Sequence, residues 1–399
     1  KRCDYVEVKL PKTALLQNES QGIGEYCACY GNEVYPCQKI SEDESQICLG
    51  FTPFLQGLSL KNFCITQEVD LYGKREANIN PPFNIRYEDK EGLVVSTPSG
   101  EKLIEGLYIT CMRDGKFYDS ISSMKGLKQI VNGPVLYILE VEGSVAELHF
   151  ILTLRMYSGV KRIDASIHFD FGSGPTYLGP QMDDYPPGTP YSIHDEAKLC
   201  VAFCVNADRI CCKSPFWISE VFSERITGAN WIGLESCYKD HLVFINKGNR
   251  GYHWDKERHI LRNVLAWAPR EWIYASDDSF TRGKSAFTAL SGMHAFEFAI
   301  APYSNRVDAE RESINYTIPM TAVWKNTSNS NKNNNKIISG ADTIFMVDSE
   351  KIFITAFLVK NGDIIARLWN ASENEVRCSL RSSIGRHIFV KESPLETNS

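Results

Sequence analysis

Apolar and polar residues alternate along much of this chain with a period of two. Residues 135–141, 148–156 and 163–169 place apolar side chains at every second position. In the second and third stretches most of the residues between them are polar or charged, such as His149, Thr153 and Arg155, and then Asp164, Ser166 and His168. Alternation of this length predicts antiparallel strands that bury one face and expose the other to water. Glu142-Gly143-Ser144 and Ser158-Gly159 separate the three stretches, so the sequence predicts a meander that turns at these two points.

No stretch of similar length carries the apolar stripe of an amphipathic helix. Strands also do not alternate with helices, as they do in a barrel enzyme or a dinucleotide-binding fold. Further strands are predicted at residues 343–347, 352–359 and 364–369, and the turn signal Asn361-Gly362 joins the last two. We therefore predict an all-β protein built from antiparallel β-sandwich domains.

Two breaks divide this pattern. Residues 75–83 are rich in turn-forming residues, and residues 325–336 are a polar run that cannot bury enough apolar surface to become ordered. The breaks predict a small β-sandwich segment at residues 1–74, a large central β-sandwich at 77–322, a polar low-complexity loop at 323–336 and a small C-terminal β-sandwich at 337–399.

Composition and charge narrow the classes of function. The chain has 399 residues, with 43 Lys and Arg against 49 Asp and Glu, and a formal net charge of -6. A slightly acidic chain lacks the basic face that nucleic-acid binding needs, and there is no run of about 18 apolar residues to span a membrane. The first residues have neither the pattern of a signal peptide nor an initiator methionine, which suggests part of a longer protein.

The cysteines and the sequons favour an oxidising compartment. The chain has 13 cysteines, an odd number, and their spacing does not match a structural zinc site. Candidate glycosylation sites are Asn18, Asn315, Asn326 and Asn370. Together these features predict disulfide bonds and a place in the secretory pathway, lysosomal, vacuolar or extracellular. Free thiols in a cytosolic protein are the alternative.

The acidic clusters do not form a recognisable catalytic motif. A glycosidase needs two carboxyl groups flanking a sugar bond, whereas Asp183-Asp184 lies within a Gly- and Pro-rich loop. His194-Asp195-Glu196 on a strand would point to alternating faces, and there is no GxGxxG, P-loop, HExxH or GxSxG motif. The sequence therefore assigns no catalytic residue and no metal ligand to this chain.

A succession of short motifs nevertheless resembles one enzyme family. Tyr157-Ser-Gly-Val-Lys-Arg-Ile-Asp164 and Gly292-Met-His-Ala-Phe-Glu-Phe-Ala-Ile-Ala-Pro302 are similar to two strands in the C-terminal β-rich half of glycoside hydrolase family 38, the α-mannosidases. Further similar stretches follow in the family's order at residues 30–38, 54–63, 84–96, 133–135, 197–206, 229–235, 243–248, 261–265, 347–359 and 365–369.

The resemblance implies a large galactose-mutarotase-like super-sandwich flanked by smaller β-sandwich segments. It also implies retaining hydrolysis of terminal α-mannose, in the catabolism or processing of N-glycans or mannosides. The family's catalytic barrel, with its zinc or other divalent ion, is not in this chain, which would be inactive alone. The implied partners are an N-terminal catalytic chain and mannose-containing glycans, with a homo-oligomer of such heterodimers as an open alternative.

Two loops combine aromatic and acidic residues, and they are the candidates for facing the substrate. These residues are Asp183, Asp184, Tyr185, Trp272, Tyr274, Asp277 and Asp278. A non-catalytic carbohydrate-binding or structural β-sandwich protein derived from the family is the second hypothesis. Its sugar-stacking candidates are Trp217, Trp231, Trp254, Trp267 and Trp272, although core packing is favoured for Trp217, Trp231 and Trp267. A third possibility is a disulfide-rich adhesion or receptor module, which fits the number of cysteines but not the ordered family motifs.

Overall fold

A computed structural model describes residues 2–14, 25–55, 58–68, 79–178, 198–215, 217–237, 241–268, 271–276, 279–284, 289–324 and 342–382. Most of these residues lie in antiparallel strands, so the prediction of an all-β protein with a sandwich architecture is confirmed. Among them, no helix is both long and apolar enough to cross a membrane.

The strands are numbered along the chain. The first segment contains β1 (Arg2–Cys3), β2 (Val6–Pro11), β3 (Glu25–Tyr30), β4 (Glu33–Pro36), β5 (Gln38–Glu42), β6 (Gln46–Phe51), β7 (Phe54–Leu55), β8 (Leu58–Leu60) and β9 (Cys64–Glu68). The central region begins with β10 (Asn84–Glu88), β11 (Gly92–Ser96), β12 (Lys102–Arg113), β13 (Lys116–Asp119), β14 (Lys128–Asn132), β15 (Leu136–Val145), β16 (Leu148–Tyr157) and β17 (Val160–Asp170).

The central region continues with β18 (Leu199–Cys204), β19 (Arg209–Ser214), β20 (Trp217–Val221), β21 (Arg225–Thr227), β22 (Trp231–Glu235), β23 (His241–Asn246), β24 (Gly251–Asp255), β25 (Ile260–Ala266), β26 (Glu271–Ser276), β27 (Ser279–Lys284) and β28 (Met293–Tyr303). Helix α1 (Arg306–Thr317) follows. The tail contains β29 (Asp342–Val347), β30 (Ile352–Lys360), β31 (Asp363–Asn370) and β32 (Leu380–Ser382).

Two large sheets pack face to face in the central region. One has the strand order β14-β15-β16-β17-β28-β23-β22-β19-β20, and the other runs β10-β11-β12-β18-β25-β24-β21 with β13 beside β12. Their apolar faces share one core, in which the Phe203 ring meets Phe244 and Phe298 of the opposite sheet at centroid distances of 4.8 and 5.6 Å. Burial of these large apolar side chains is the main force that holds the two sheets together.

The predicted meander is present as β15, β16 and β17, but its first turn lies beyond the predicted point. Gly143 is still inside β15, and the chain reverses at Ala146 and Glu147, which have φ values of 47° and 67°. A Cβ atom on Gly143 would lie 2.6 Å from the ring of Phe150 on the neighbouring strand. The glycine therefore makes room for an aromatic ring rather than for a turn. The second predicted turn, at Ser158-Gly159, is confirmed.

Helix α1 covers part of the outer face of the nine-stranded sheet, and the sequence pattern does not predict it. Its buried residues are Ala309, Glu310, Ser313, Asn315 and Tyr316, which form no apolar stripe. The carboxylate of Glu310 accepts a hydrogen bond of 2.7 Å from the Trp231 indole N–H and pairs with the Lys213 ammonium group. These partners compensate for the loss of water around the buried charge.

The first and last segments of the chain share a sheet. Strands β2, β5 and β6 and strands β3, β4 and β9 form two small sheets around Leu10, Ala28 and Leu49. Strand β29 of the tail pairs with β8 of the first segment. The hairpin of β30 and β31 turns at Asn361 and Gly362 with positive φ, as the sequence predicts. The division of the chain into four parts stays a prediction.

The cysteines do not form the disulfide bonds that their number suggests. All 13 lie in the described residues, and no disulfide joins any two of them. Many of them fill core positions as small apolar residues. Burial raises the pKa of the Cys111 and Cys211 thiols to about 12, which keeps them protonated and unreactive. The structure therefore does not support the predicted disulfide bonds, and the secretory location stays a prediction.

Candidate functional site

Most of the predicted substrate-facing residues fall outside the part of the chain that the structure describes. Outside it are Asp183, Asp184, Tyr185, Asp277 and Asp278. Trp272 and Tyr274 lie on β26, which pairs with β27 along its length. The backbone of the second candidate loop is therefore a hairpin, and the role of its side chains stays a prediction.

The two candidate loops leave the sandwich from one place. Leu178 precedes residues 179–197 and exchanges backbone hydrogen bonds of 2.8 and 3.2 Å with Ala268, which precedes the β26–β27 hairpin. Thr176 and Leu290 exchange a second pair, of 2.8 and 2.9 Å. We call Thr176, Leu178, Ala268 and Leu290 the loop base. The pairing shows that the residues preceding the two loops, Leu178 and Ala268, are adjacent although they lie 90 positions apart in the sequence.

The first loop also returns beside the same base. The Nζ atom of Lys198 lies 5.0 Å from the centre of the Trp267 ring, and only 7% of Lys198 is exposed. The ring quadrupole attracts a cation placed over its face, so this contact holds the chain at residue 198 against residue 267. Leu178 and Lys198, which flank residues 179–197, therefore both contact the chain that leads into β26.

Polar groups beside the loop base make local hydrogen bonds. The carboxylate of Asp170 accepts a 2.8 Å bond from the Gly172 N–H, and a ring nitrogen of His294 lies 3.0 Å from the Ser291 carbonyl oxygen. The His294 ring meets Phe171 edge to face at 5.2 Å. These contacts fix the shape of the surface below the two loops, but they do not place two carboxyl groups across a gap, as glycoside hydrolysis requires.

A cavity of about 530 Å³ opens between the first segment and the large sandwich. Its described lining includes Pro36, Pro82, Pro134, Tyr157 and Lys161 but no Asp or Glu, so it offers no carboxyl group for acid–base chemistry. The described residues contain no group of three or more His, Cys, Asp or Glu side chains that could hold a metal ion. The divalent ion that the family resemblance implies thus has no fitting site among them.

A buried cluster of charges surrounds Arg162, and the sequence pattern does not predict it. The Arg162 guanidinium is almost fully buried and lies 2.6 Å from an Asp164 carboxylate oxygen, 3.0 Å from Asp4 and 3.5 Å from Glu312. Burial raises the pKa of Asp164 and of Glu312, and the positive charge of Arg162 opposes that rise. The cluster joins the first segment, β17 and α1, so its role is structural. No spacing rule connects residues so far apart in the sequence.

Another buried carboxylate, that of Glu235 at the end of β22, lies beside the start of α1. The Arg306 guanidinium donates hydrogen bonds of 2.9 and 3.3 Å to its two oxygens, and the Cys211 thiol lies 3.5 Å away. Burial raises the pKa of Glu235, but the bonds and charge of Arg306 outweigh that effect and hold the pKa below its usual value. Because the carboxylate is already paired, it stabilises the fold and is not available to a substrate.

The predicted sequons have different surroundings. Asn18 and Asn326 lie outside the described residues. Asn315 lies within α1 with 7% of its surface exposed, so a glycan there would have to displace packed structure. Asn370 is exposed at the end of β31, and its side chain bonds to Ser372 and Asn374. Asn370 is therefore the described sequon with the accessibility that glycosylation needs.

The tryptophans of the carbohydrate-binding hypothesis are mostly structural. Trp231 is fully buried, as predicted, Trp254 is 7% exposed, and Trp267 is half-buried below Lys198. The prediction for Trp217 is wrong, because this residue lies on edge strand β20 with 68% of its surface exposed. A sequence pattern cannot distinguish an edge strand from a central one, which explains the error.

Comparison of the fold with solved structures defines its class. The fold is similar to a protein in glycosyl hydrolase family 38 from Enterococcus faecalis, with a TM-score of 0.64 and 10% identity over 96% of this chain and 52% of that one. It is also similar to an alpha-mannosidase from Enterococcus faecalis V583, with a TM-score of 0.62 and 8% identity over 96% of this chain and 50% of that one. The chain thus spans about half the length of the structures it matches.

Other comparisons give a weak match or no match. A galactose mutarotase related enzyme from Lactobacillus acidophilus matches 57% of this chain with a TM-score of 0.29, a similarity too low to support an argument. No family model matches the chain. No curated protein matches it by sequence. The comparison therefore establishes a fold like that of about half of each of these two Enterococcus faecalis proteins.

Proposed function

We propose that this chain is the β-rich part of an α-mannosidase-type glycoside hydrolase and packs on a catalytic barrel outside these residues. The supporting observation is the similarity of 96% of the chain to half of a family 38 protein at a TM-score of 0.64. In this proposal the complete enzyme hydrolyses terminal α-mannose of N-glycans or mannosides with retention of configuration. The two catalytic carboxyl groups and the divalent ion belong to the barrel.

The role of this chain in the proposal is to form one wall of the substrate cleft. Hydrogen bonds at the loop base hold the starts of segment 179–197 and of the β26–β27 hairpin side by side. A rigid scaffold that presents adjacent loops is a common way to position binding residues. The aromatic and acidic residues of these loops, among them Asp184, Tyr185 and Trp272, would then contact mannose rings through stacking and hydrogen bonds.

The proposal is tested on the protein from its own source cells. The endogenous chain is tagged at its C-terminus, purified without denaturant, and analysed by size-exclusion chromatography, intact mass and hydrolysis of an aryl α-mannoside with added zinc or cobalt. We expect the chain to be joined to, or to co-elute with, a larger catalytic polypeptide, and the α-mannoside to be hydrolysed. An aryl α-glucoside is the specificity control, and cells without the tag are the background control.

A 45.1 kDa chain that elutes alone and leaves the α-mannoside intact would exclude the enzymatic proposal. One observation favours the alternative of a carbohydrate-binding protein, which is the exposure of Trp217 on edge strand β20. Exposed tryptophans can stack on sugar rings. On a glycan array, this alternative predicts binding that Trp217→Ala removes and that Trp324→Ala, a change at another accessible tryptophan, leaves unchanged.

A further inference from the structure

Two cysteines of the first segment lie directly opposite each other on neighbouring strands. Cys29 of β3 pairs with Cys64 of β9 in the antiparallel register. The other strand cysteines of the described residues face residues of other types, for example Cys200, which faces Thr110 and Val264. The pair Cys29 and Cys64 is therefore distinct from the remaining thiols in its geometry.

The register places this pair within reach of a disulfide bond. Directly opposed residues of antiparallel strands have Cα atoms about 4.5 or 5.5 Å apart, depending on whether they form a hydrogen-bonded pair. Disulfides span Cα distances of about 4.4–6.8 Å, so either kind of pair satisfies the distance. Opposed side chains also point to the same face of the sheet, so rotation about the Cα–Cβ bonds turns the two sulfur atoms towards each other.

The surroundings of the pair also suit reaction with a small molecule. Cys64 is exposed and Cys29 is half-buried. By comparison, Cys27 is buried, although it lies two residues before Cys29 on the same face of β3. The Cys29 Sγ atom lies 3.8 Å from the Thr66 hydroxyl, so it already leans towards β9. By contrast, burial raises the pKa of the Cys111 and Cys211 thiols to about 12, which disfavours their thiolate forms.

We propose that Cys29 and Cys64 form a redox site that closes to a disulfide when it meets a small-molecule disulfide such as oxidised glutathione. One cysteine thiolate attacks the glutathione disulfide, which gives a mixed disulfide and releases one glutathione thiolate. The second cysteine thiolate attacks the protein sulfur of that mixed disulfide and displaces the second glutathione thiolate. In total, two protein thiols and one oxidised glutathione give one protein disulfide and two reduced glutathiones.

Closing this site would restrain the part of the first segment that pairs with the tail. The ring from Cys29 to Cys64 contains β4 to β8, and β8 pairs with β29 of the tail. The disulfide would tie β9 to β3 covalently and restrict the unfolding of the strands between them. The site therefore couples the redox state of the environment to the stability of the sheet that the first and last segments share.

The test uses the full chain, purified under reducing conditions and then treated with oxidised glutathione. After acid quenching, thiols are counted in denaturant, intact mass is measured and cross-linked peptides are mapped. We expect two fewer thiols than the 13 of the reduced chain, a loss of about 2 Da and one cross-link between Cys29 and Cys64. Dithiothreitol should restore all the thiols.

Single-cysteine variants test whether the cross-link forms between Cys29 and Cys64. Cys64→Ser and Cys29→Ser should each abolish the cross-link and retain at most a glutathione adduct on the remaining partner. Cys378→Ser, which removes an exposed cysteine outside the strands, should cross-link like the wild-type chain. The proposal is wrong if the folded wild-type chain keeps all its thiols, accumulates only glutathione adducts, or forms a cross-link that includes Cys27 or any other cysteine.

Discussion

Glu235 keeps its negative charge although only 6% of its side chain is exposed. Burial alone would favour the neutral acid, because it removes the water that solvates a carboxylate. The Arg306 guanidinium, at 2.9 Å, supplies both hydrogen bonds and a positive charge, and Arg209 adds a second charge at 3.5 Å. The pKa of Glu235 is therefore lower in the folded protein than in the unfolded chain.

This difference predicts how the stability contributed by Glu235 depends on pH. A carboxyl group with a lowered pKa in the folded state stabilises that state above its unfolded pKa, and the contribution disappears as the pH falls through the folded pKa. We expect Glu235→Gln to be less stable than the wild-type chain at pH 7, with the gap narrowing below about pH 4.3. Urea unfolding of both proteins from pH 7 down to pH 3 measures the gap.

Glu224→Gln, at an exposed position, is the control and should show a small gap at every pH. A gap for Glu235→Gln that is constant with pH would contradict the assignment.

Single residues were predictable where their role depends on the local pattern and unpredictable where it depends on a neighbour in space. The alternating apolar residues of β16 all enter the core, as the alternation predicts: Leu148, Phe150, Leu152, Leu154 and Met156. The sequence predicts a turn at Gly143, yet the Phe150 ring on the next strand determines the role of this glycine. Core packing is predicted for Trp217, but the edge position of β20 leaves it exposed.

Helix α1 shows the same limit at the scale of an element. A strand can be predicted from the alternation within its own segment. Helix α1 instead buries Glu310, and this burial depends on Trp231 and Lys213, which are far away in the sequence. The local signal that could have located the helix is its start. The Asn305 side chain accepts hydrogen bonds of 3.0 and 3.1 Å from the N–H groups of Val307 and Asp308, which is the pattern of an N-cap.

The N-cap predicts a measurable contribution to stability. Asn305→Ala removes the acceptor for two N–H groups at the start of the helix, and we expect it to lower the free energy of unfolding by about 1 kcal/mol. Asn305→Ser is the matched control, because serine caps helices about as well as asparagine. Urea denaturation of the three proteins at pH 7 provides the comparison. Equal losses for the alanine and serine variants would show that the side chain acts by some other means than capping.

At the scale of the whole molecule, the order of the strand motifs predicted a family 38-like β fold, and the matched structures agree with that fold. The contacts between segments were not predictable from any local pattern. The β8–β29 pairing connects residues near positions 60 and 342, and the Arg162 cluster connects Asp4 with Glu312. Such contacts depend on how the folded sheets pack against one another. The residues that determine this packing are spread over the entire chain. The candidate loops were found in the sequence, but their common base became visible only in the fold.

Arg162 pairs with carboxylates from the first segment, from β17 and from α1. Its loss should therefore lower the stability of the entire chain. Arg162→Ala would leave the carboxylates of Asp4, Asp164 and Glu312 close together with one fewer buried positive charge. Breaking a buried ion pair by removing one partner costs about 3–5 kcal/mol. We expect a loss of that order in the free energy of unfolding, measured by urea denaturation at pH 7. Arg86→Ala, which removes an exposed pair with Glu88, is the control and should cost less than about 1 kcal/mol. Similar small losses for both variants would mean that the cluster does not hold the first segment and α1 on the sandwich.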